Sequence, residues 1–73
     1  MKLVAHTRYG IFESIEQEYD EDYYEQVKEL LSRLSEFKYF TFETNDGNVY
    51  LNKELIGESL FQIIKGDVKN EEN

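Results

Sequence analysis

This 73-residue sequence predicts an α+β fold: a small antiparallel sheet with one amphipathic helix packed on one face. Three observations carry that expectation. An apolar stripe at helical spacing occupies the middle of the chain, an Asp-Gly corner joins two alternating runs after it, and β-prone runs lie near both ends. The predicted element order is β-β-α-β-β-β, or β-α-β-β-β if the first hairpin does not close. A chain of this length makes one domain, assigned to residues 1–66, with 67–73 as a polar, frayed tail.

The run from Lys2 to Arg8 alternates modestly, with Leu3, Ala5 and Thr7 on one side and Val4, His6 and Arg8 on the other. Tyr9-Gly10 interrupts it, and Ile11 to Ser14 returns as a second strand. The hairpin turns near Arg8-Tyr9-Gly10, because glycine accepts a positive φ without steric cost. The helix is expected from about Asp22 to Phe37. Its apolar positions Tyr23, Val27, Leu30, Leu34 and Phe37 step by four, three, four and three, and Tyr24 and Leu31 widen the stripe. Asp20 or Asp22 can cap its start, the early acids suit the positive end of its dipole, and Glu29 and Arg33 form an i,i+4 pair.

Lys38 to Thr44 alternates again, and Asn45-Asp46-Gly47-Asn48 is the strongest turn signal in the chain. With Asp46 and Gly47 as a type I′ corner, Thr44 faces Val49, Phe42 faces Leu51 and Glu43 lies opposite Tyr50. One face is then apolar (Phe40, Phe42, Val49, Leu51) and the other amphipathic (Tyr39, Thr41, Glu43, Tyr50, Asn52). Asn52 to Gly57 reads as one helical turn, with Asn52 as N-cap and Gly57 just past its end. Ser59 to Lys65 supplies a last strand.

The charge is lopsided: 16 Asp and Glu against 8 Lys and Arg, for a net charge of -8. That balance argues against unaided binding to DNA, RNA or an anionic membrane, all of which reward basic clusters. No apolar run approaches the roughly 18 residues of a spanning helix, and no basic start leads into an apolar core. The expected setting is therefore the cytoplasm.

Catalytic and metal chemistry find little purchase. Cysteine is absent, which removes thiolate catalysis, zinc-thiolate sites and disulfides together. His6 is the single histidine, and Ser14, Ser32, Ser35 and Ser59 sit in no nucleophile motif. Gly10, Gly47, Gly57 and Gly66 are isolated, so no phosphate-cradling loop is present. The acidic stretch lacks the central glycine of a calcium loop. The expectation is no enzyme, no cofactor and no metal.

Residues 13–25 hold seven acids and no base: Glu13, Glu16, Glu18, Asp20, Glu21, Asp22 and Glu25. Tyr19, Tyr23 and Tyr24 stand among them. Close charges steer encounter, and tyrosines supply rigid contact area at low entropic cost. Glu16, Glu18, Tyr19, Asp20, Glu21, Asp22, Tyr23 and Glu25 thus form the first candidate face, for a protein partner with a basic surface. The competing reading is a merely solvated face. A second candidate surface is Tyr39, Thr41, Tyr50 and Asn52, where cross-strand packing is the simpler alternative. Unpaired sheet edges could also recruit a second copy and make a homodimer.

Three stretches carry a resemblance: Met-Lys-Leu-Val-Ala-His-Thr-Arg-Tyr-Gly-Ile-Phe-Glu at the start, the acidic helix start, and Thr-Asn-Asp-Gly-Asn-Val-Tyr-Leu-Asn-Lys-Glu-Leu-Ile-Gly-Glu-Ser-Leu-Phe. Over residues 1 to 65 the chain resembles, in size and charge, the short acidic accessory proteins of bacteriophages and other mobile elements. The resemblance implies a non-enzymatic role. One form is blocking a host factor in the host cytoplasm, in the manner of a DNA mimic; the other is serving as a virion or assembly component.

Overall fold

Two hairpins of the same construction organise the chain, and a computed structural model describes them within residues 1–66. Strands β1 (Lys2–Thr7) and β2 (Gly10–Glu13) meet at Thr7↔Gly10, and β3 (Tyr39–Thr44) and β4 (Gly47–Asn52) meet at Thr44↔Gly47. In each turn the threonine hydroxyl accepts the amide two residues on, Tyr9 at 3.0 Å or Asp46 at 3.1 Å. It also donates to the glycine carbonyl, at 2.9 Å for Gly10 and 2.7 Å for Gly47. Only the glycines take a positive φ, +135° and +122°.

The type I′ corner at Asp46-Gly47 is therefore corrected. Asn45-Asp46 is the corner, because the Thr44 hydroxyl secures a turn whose one left-handed residue is Gly47. Phe42 then faces Val49, Phe40 faces Leu51 and Thr41 faces Tyr50. The slip is two residues, so every side chain keeps its predicted face.

These glycines make a testable pair with Gly57. A Cβ at Gly47 would meet nothing within 4 Å, yet its φ of +122° is hostile to an L side chain, so Gly47→Ala should cost about 1–3 kcal/mol. Gly57 has an ordinary helical backbone and equally open space, so Gly57→Ala should stabilise by about 0.5–1 kcal/mol. Urea unfolding followed by circular dichroism reads both, and equal signs would contradict the backbone assignment.

The helix α1 spans Glu21–Ser32, with Asp20 as its N-cap: Asp20 Oδ1 accepts the Tyr23 amide at 3.1 Å. The predicted run to Phe37 stops early. The Ser32 hydroxyl donates to the Glu29 carbonyl at 2.7 Å, and Arg33 leaves the helical region at φ −117° and ψ 15°. A 3₁₀ turn over Leu34–Glu36 follows and drives Leu34 into the core. Asp20→Ala should destabilise the chain by about 1 kcal/mol, while Asp20→Asn, which keeps an acceptor, should cost only a few tenths. Equal losses on thermal unfolding would remove the cap from the account.

Asn52 caps α2 (Lys53–Glu58) as expected, its Oδ1 accepting the Leu55 amide at 2.9 Å. The expectation that Gly57 lies past the end is corrected: the helix runs through it to Glu58. Ser59 closes it instead, its hydroxyl donating to the Leu55 carbonyl at 2.6 Å. Strand β5 (Leu60–Ile64) returns to pair antiparallel with β1 from Lys2↔Ile64 to His6↔Leu60.

The strands form two antiparallel sheets, in the orders β2-β1-β5 and β3-β4, where one sheet was expected. Residues after β2 join them. The Ser14 amide donates to the Leu3 carbonyl at 2.8 Å, the Ile15 amide to the Glu43 carbonyl at 3.0 Å, and the Gln17 amide to the Met1 carbonyl at 2.8 Å. Phe61 of β5 meets Phe40 of β3 edge to face, centroids 5.8 Å apart. The core is small. Leu51, Leu34 and Ile56 are buried with Phe37, Phe40, Phe42 and Phe61 around them, while Met1, Leu3, Val4 and Ala5 bury a second patch on β1. No residue of α1 is buried. The tail assigned to 67–73 lies outside the described residues.

Candidate functional site

The acidic segment starts on a fixed point and ends on a helix. Its first residues are held by the bonds that join the two sheets, and its last lie in the first turns of α1. Between them the backbone carries Glu16, Glu18, Asp20, Glu21, Asp22 and Glu25 as exposed side chains. Glu21 and Asp22 stand at the positive end of the helix dipole, which favours them as anions.

The acids divide by partner. Glu13 accepts from Lys2 Nζ at 2.7 Å, Glu16 lies 3.8 Å from the Met1 amino nitrogen, and Glu25 lies 3.9 Å from Lys28. The hydrogen bond and charge of Glu13 hold the Lys2 ammonium above its ordinary pKa of 10.5. Among the described residues, Glu18, Asp20, Glu21 and Asp22 form no ion pair. Four carboxylates within five residues are thus exposed without a cationic side chain paired to them there.

The tyrosines also divide. Tyr19 and Tyr24 are half-buried with centroids 6.0 Å apart, and Lys65 Nζ lies 4.7 Å from the Tyr24 ring and 5.7 Å from Tyr19. Lys28 Nζ approaches the Tyr24 ring at 5.8 Å. Such cation–π contacts tie the loop before α1 to the chain just after β5. These two rings position the acids. Tyr23, 43% exposed, points instead along a groove between α1 and the sheets.

That groove has a volume of about 600 Å³ and takes in Val27 and Leu30 of α1, Leu3 of β1, Ile15, and Phe40 and Phe42 of β3. The sequence reading assigned Tyr23, Val27 and Leu30 to the packed face of the helix. The stripe is real, but Val27 and Leu30 are only half-buried and Tyr23 is exposed. Only the C-terminal end, through Leu31 and then Leu34, reaches the core.

The second candidate surface lies on the outer face of β3 and β4. Tyr39 and Tyr50 are diagonal neighbours, stacked at 5.3 Å and 7° while 56% and 65% exposed. Thr41 is directly opposite Tyr50, and Asn52 is opposite Tyr39. The Asn52 side-chain Oδ1 is already engaged in capping α2. His6 meets Gln62 across β1 and β5 through its Nε2.

Among the described residues no three His, Asp or Glu side chains gather as a metal site, and no helix is long and apolar enough to cross a membrane. No family model matches the chain, and no curated protein or solved structure does either.

Proposed function

We propose that this chain is a small, non-enzymatic binding protein that engages a basic site on a larger protein through the acidic segment from Glu16 to Glu25. The observation that carries the reading is the exposure of Glu18, Asp20, Glu21 and Asp22 side by side, without an ion pair among the described residues. A cluster of that kind steers encounter with a cationic surface and sets the orientation of docking. Tyr19, Tyr24 and Lys65 support it by holding the segment against the end of β5, which lowers the entropy lost on binding. This behaviour fits the acidic accessory proteins of bacteriophages, for which the target would be a nucleic-acid-handling protein in the host cytoplasm.

Affinity capture from a bacterial lysate at about 50 mM and about 500 mM salt, read by mass spectrometry, tests the reading, since exposed charges are largely screened beyond about 10 Å at 0.1 M salt. A stoichiometric partner kept at low salt and lost at high salt is expected. A partner that stays bound at both salts would contradict it.

One observation favours a second reading, that of an assembly subunit. The stacked Tyr39 and Tyr50 rings are too exposed to serve the core, and Ile11 and Leu60 are 62% and 60% exposed on the other sheet. Self-association through these faces would give a multimer in sedimentation at micromolar concentration, and a clean monomer would rule it out.

A further inference from the structure

We infer that the groove between α1 and the two sheets seats large apolar side chains from a Lys- and Arg-rich segment of the partner. The inference rests on the proposed acidic binding face and extends it from charge to an anchoring site. The walls are apolar on both sides: Tyr23, Val27 and Leu30 repeat along one stripe of α1, and Phe40, Phe42 and Ile15 face them. A volume of about 600 Å³ lies within the roughly 300–1,000 Å³ of pockets that seat ligands. None of the α1 residues is buried in the chain alone, so the stripe keeps apolar area that a partner can remove from water.

Charge decides the occupant. The acidic segment leaves the groove at Gln17 and returns to it at Tyr23, so Glu18, Asp20, Glu21 and Asp22 stand between two residues of its lining. The cations lining it are Lys2 and the Met1 ammonium, and each already has an acid beside it, Glu13 at 2.7 Å from Lys2 and Glu16 at 3.8 Å from the Met1 nitrogen. A second copy of the chain, itself at -8, would bring acid against acid. Residues 67–73 are no better suited, with three acids and a single valine as their large apolar residue. A segment with apolar anchors between cations satisfies both the walls and the rim, as amphipathic segments do in other apolar grooves.

Two labelled synthetic peptides test this on the full chain by fluorescence anisotropy: one with Leu and Lys at helical spacing, and one with Ser replacing each Leu. The Leu/Lys peptide should bind at least tenfold more tightly than the Ser/Lys peptide, and Val27→Ser with Leu30→Ser should abolish that advantage. NMR of the unmodified chain removes any dependence on the double variant's folding. The Val27 and Leu30 methyl signals should move with the Leu/Lys peptide. Equal affinities for the two peptides, or unmoved methyl signals while residues 16–25 shift, would overturn the groove and leave the acidic face standing. Failure of the underlying reading has a different signature: Ser/Lys binding would be unaffected by converting Glu18, Asp20, Glu21 and Asp22 to their amides.

Discussion

Leu51→Ala should remove about 3 kcal/mol of stability, about a quarter to three-quarters of what the chain has. Leu51 is 1% exposed, the least accessible large side chain in the fold, and it packs with Leu34 and Ile56. Truncating a buried leucine costs about 2–5 kcal/mol, from lost transfer free energy plus the cavity left behind. At about 0.05–0.15 kcal/mol per residue, the whole chain has roughly 4–11 kcal/mol to lose. The core offers little capacity to compensate, because among the described residues only Leu34 and Ile56 are buried in the same cluster. Urea unfolding should show the midpoint falling by about a quarter to three-quarters at constant m-value. A loss below about 1 kcal/mol would mean that Leu34, Leu51 and Ile56 do not form the centre of the fold.

The second large effect concerns binding. Converting Glu18, Asp20, Glu21 and Asp22 together to Gln, Asn, Gln and Asn should weaken association with the captured partner by roughly thirtyfold. Exposed charge pairs contribute about 0.2–1 kcal/mol each, so four give about 2 kcal/mol, and each 1.4 kcal/mol is tenfold. The loss should fall mainly on the association rate, and the salt dependence of that rate should flatten. The fold should survive with a loss of about 1–2 kcal/mol, since Asn at position 20 still caps α1 while the amides at 21 and 22 give up their attraction to the helix dipole. Surface plasmon resonance at several salt concentrations separates the two rates. A loss confined to the dissociation rate would point to short-range contacts and away from steering.

Element order, the Asn52 cap and the two faces of the β3–β4 hairpin are legible in the residues, because each depends on local spacing, while the α1 cap is legible only as Asp20 or Asp22. The turn register is less so. Alternation at period two cannot distinguish pairings that differ by two residues, and the choice falls to the Thr44 hydroxyl and to Gly47. The Thr-x-x-Gly signal was present twice, at Thr7 and Thr44, and could have located both corners. The helix end went unseen because Ser32 bonds back to the Glu29 carbonyl, an event that apolar periodicity does not register. The division into two sheets depends on β1 pairing with β5 more than fifty residues away, as His6 with Leu60.

The candidate site was legible in part. Its acids could be counted, and their exposure follows from their charge. The tying of Tyr19 and Tyr24 by Lys65 could not be read, because it needs the return of β5. The groove was hidden for a different reason. A stripe of Tyr23, Val27 and Leu30 says that a helix has an apolar face, and says nothing of whether the rest of the chain covers it.

The central claim is that the location of the acids governs binding, and not the total charge of -8. Two variants of equal net charge test it: the four amides at Glu18, Asp20, Glu21 and Asp22, and four at Glu29, Glu36, Asp46 and Glu54. Each raises the net charge from -8 to -4, because four unit charges are removed. Measured against the captured partner at about 50 mM salt, the first set should lose roughly thirtyfold in affinity and the second no more than about threefold. Equal losses from both sets would contradict the located surface and leave only a diffuse field.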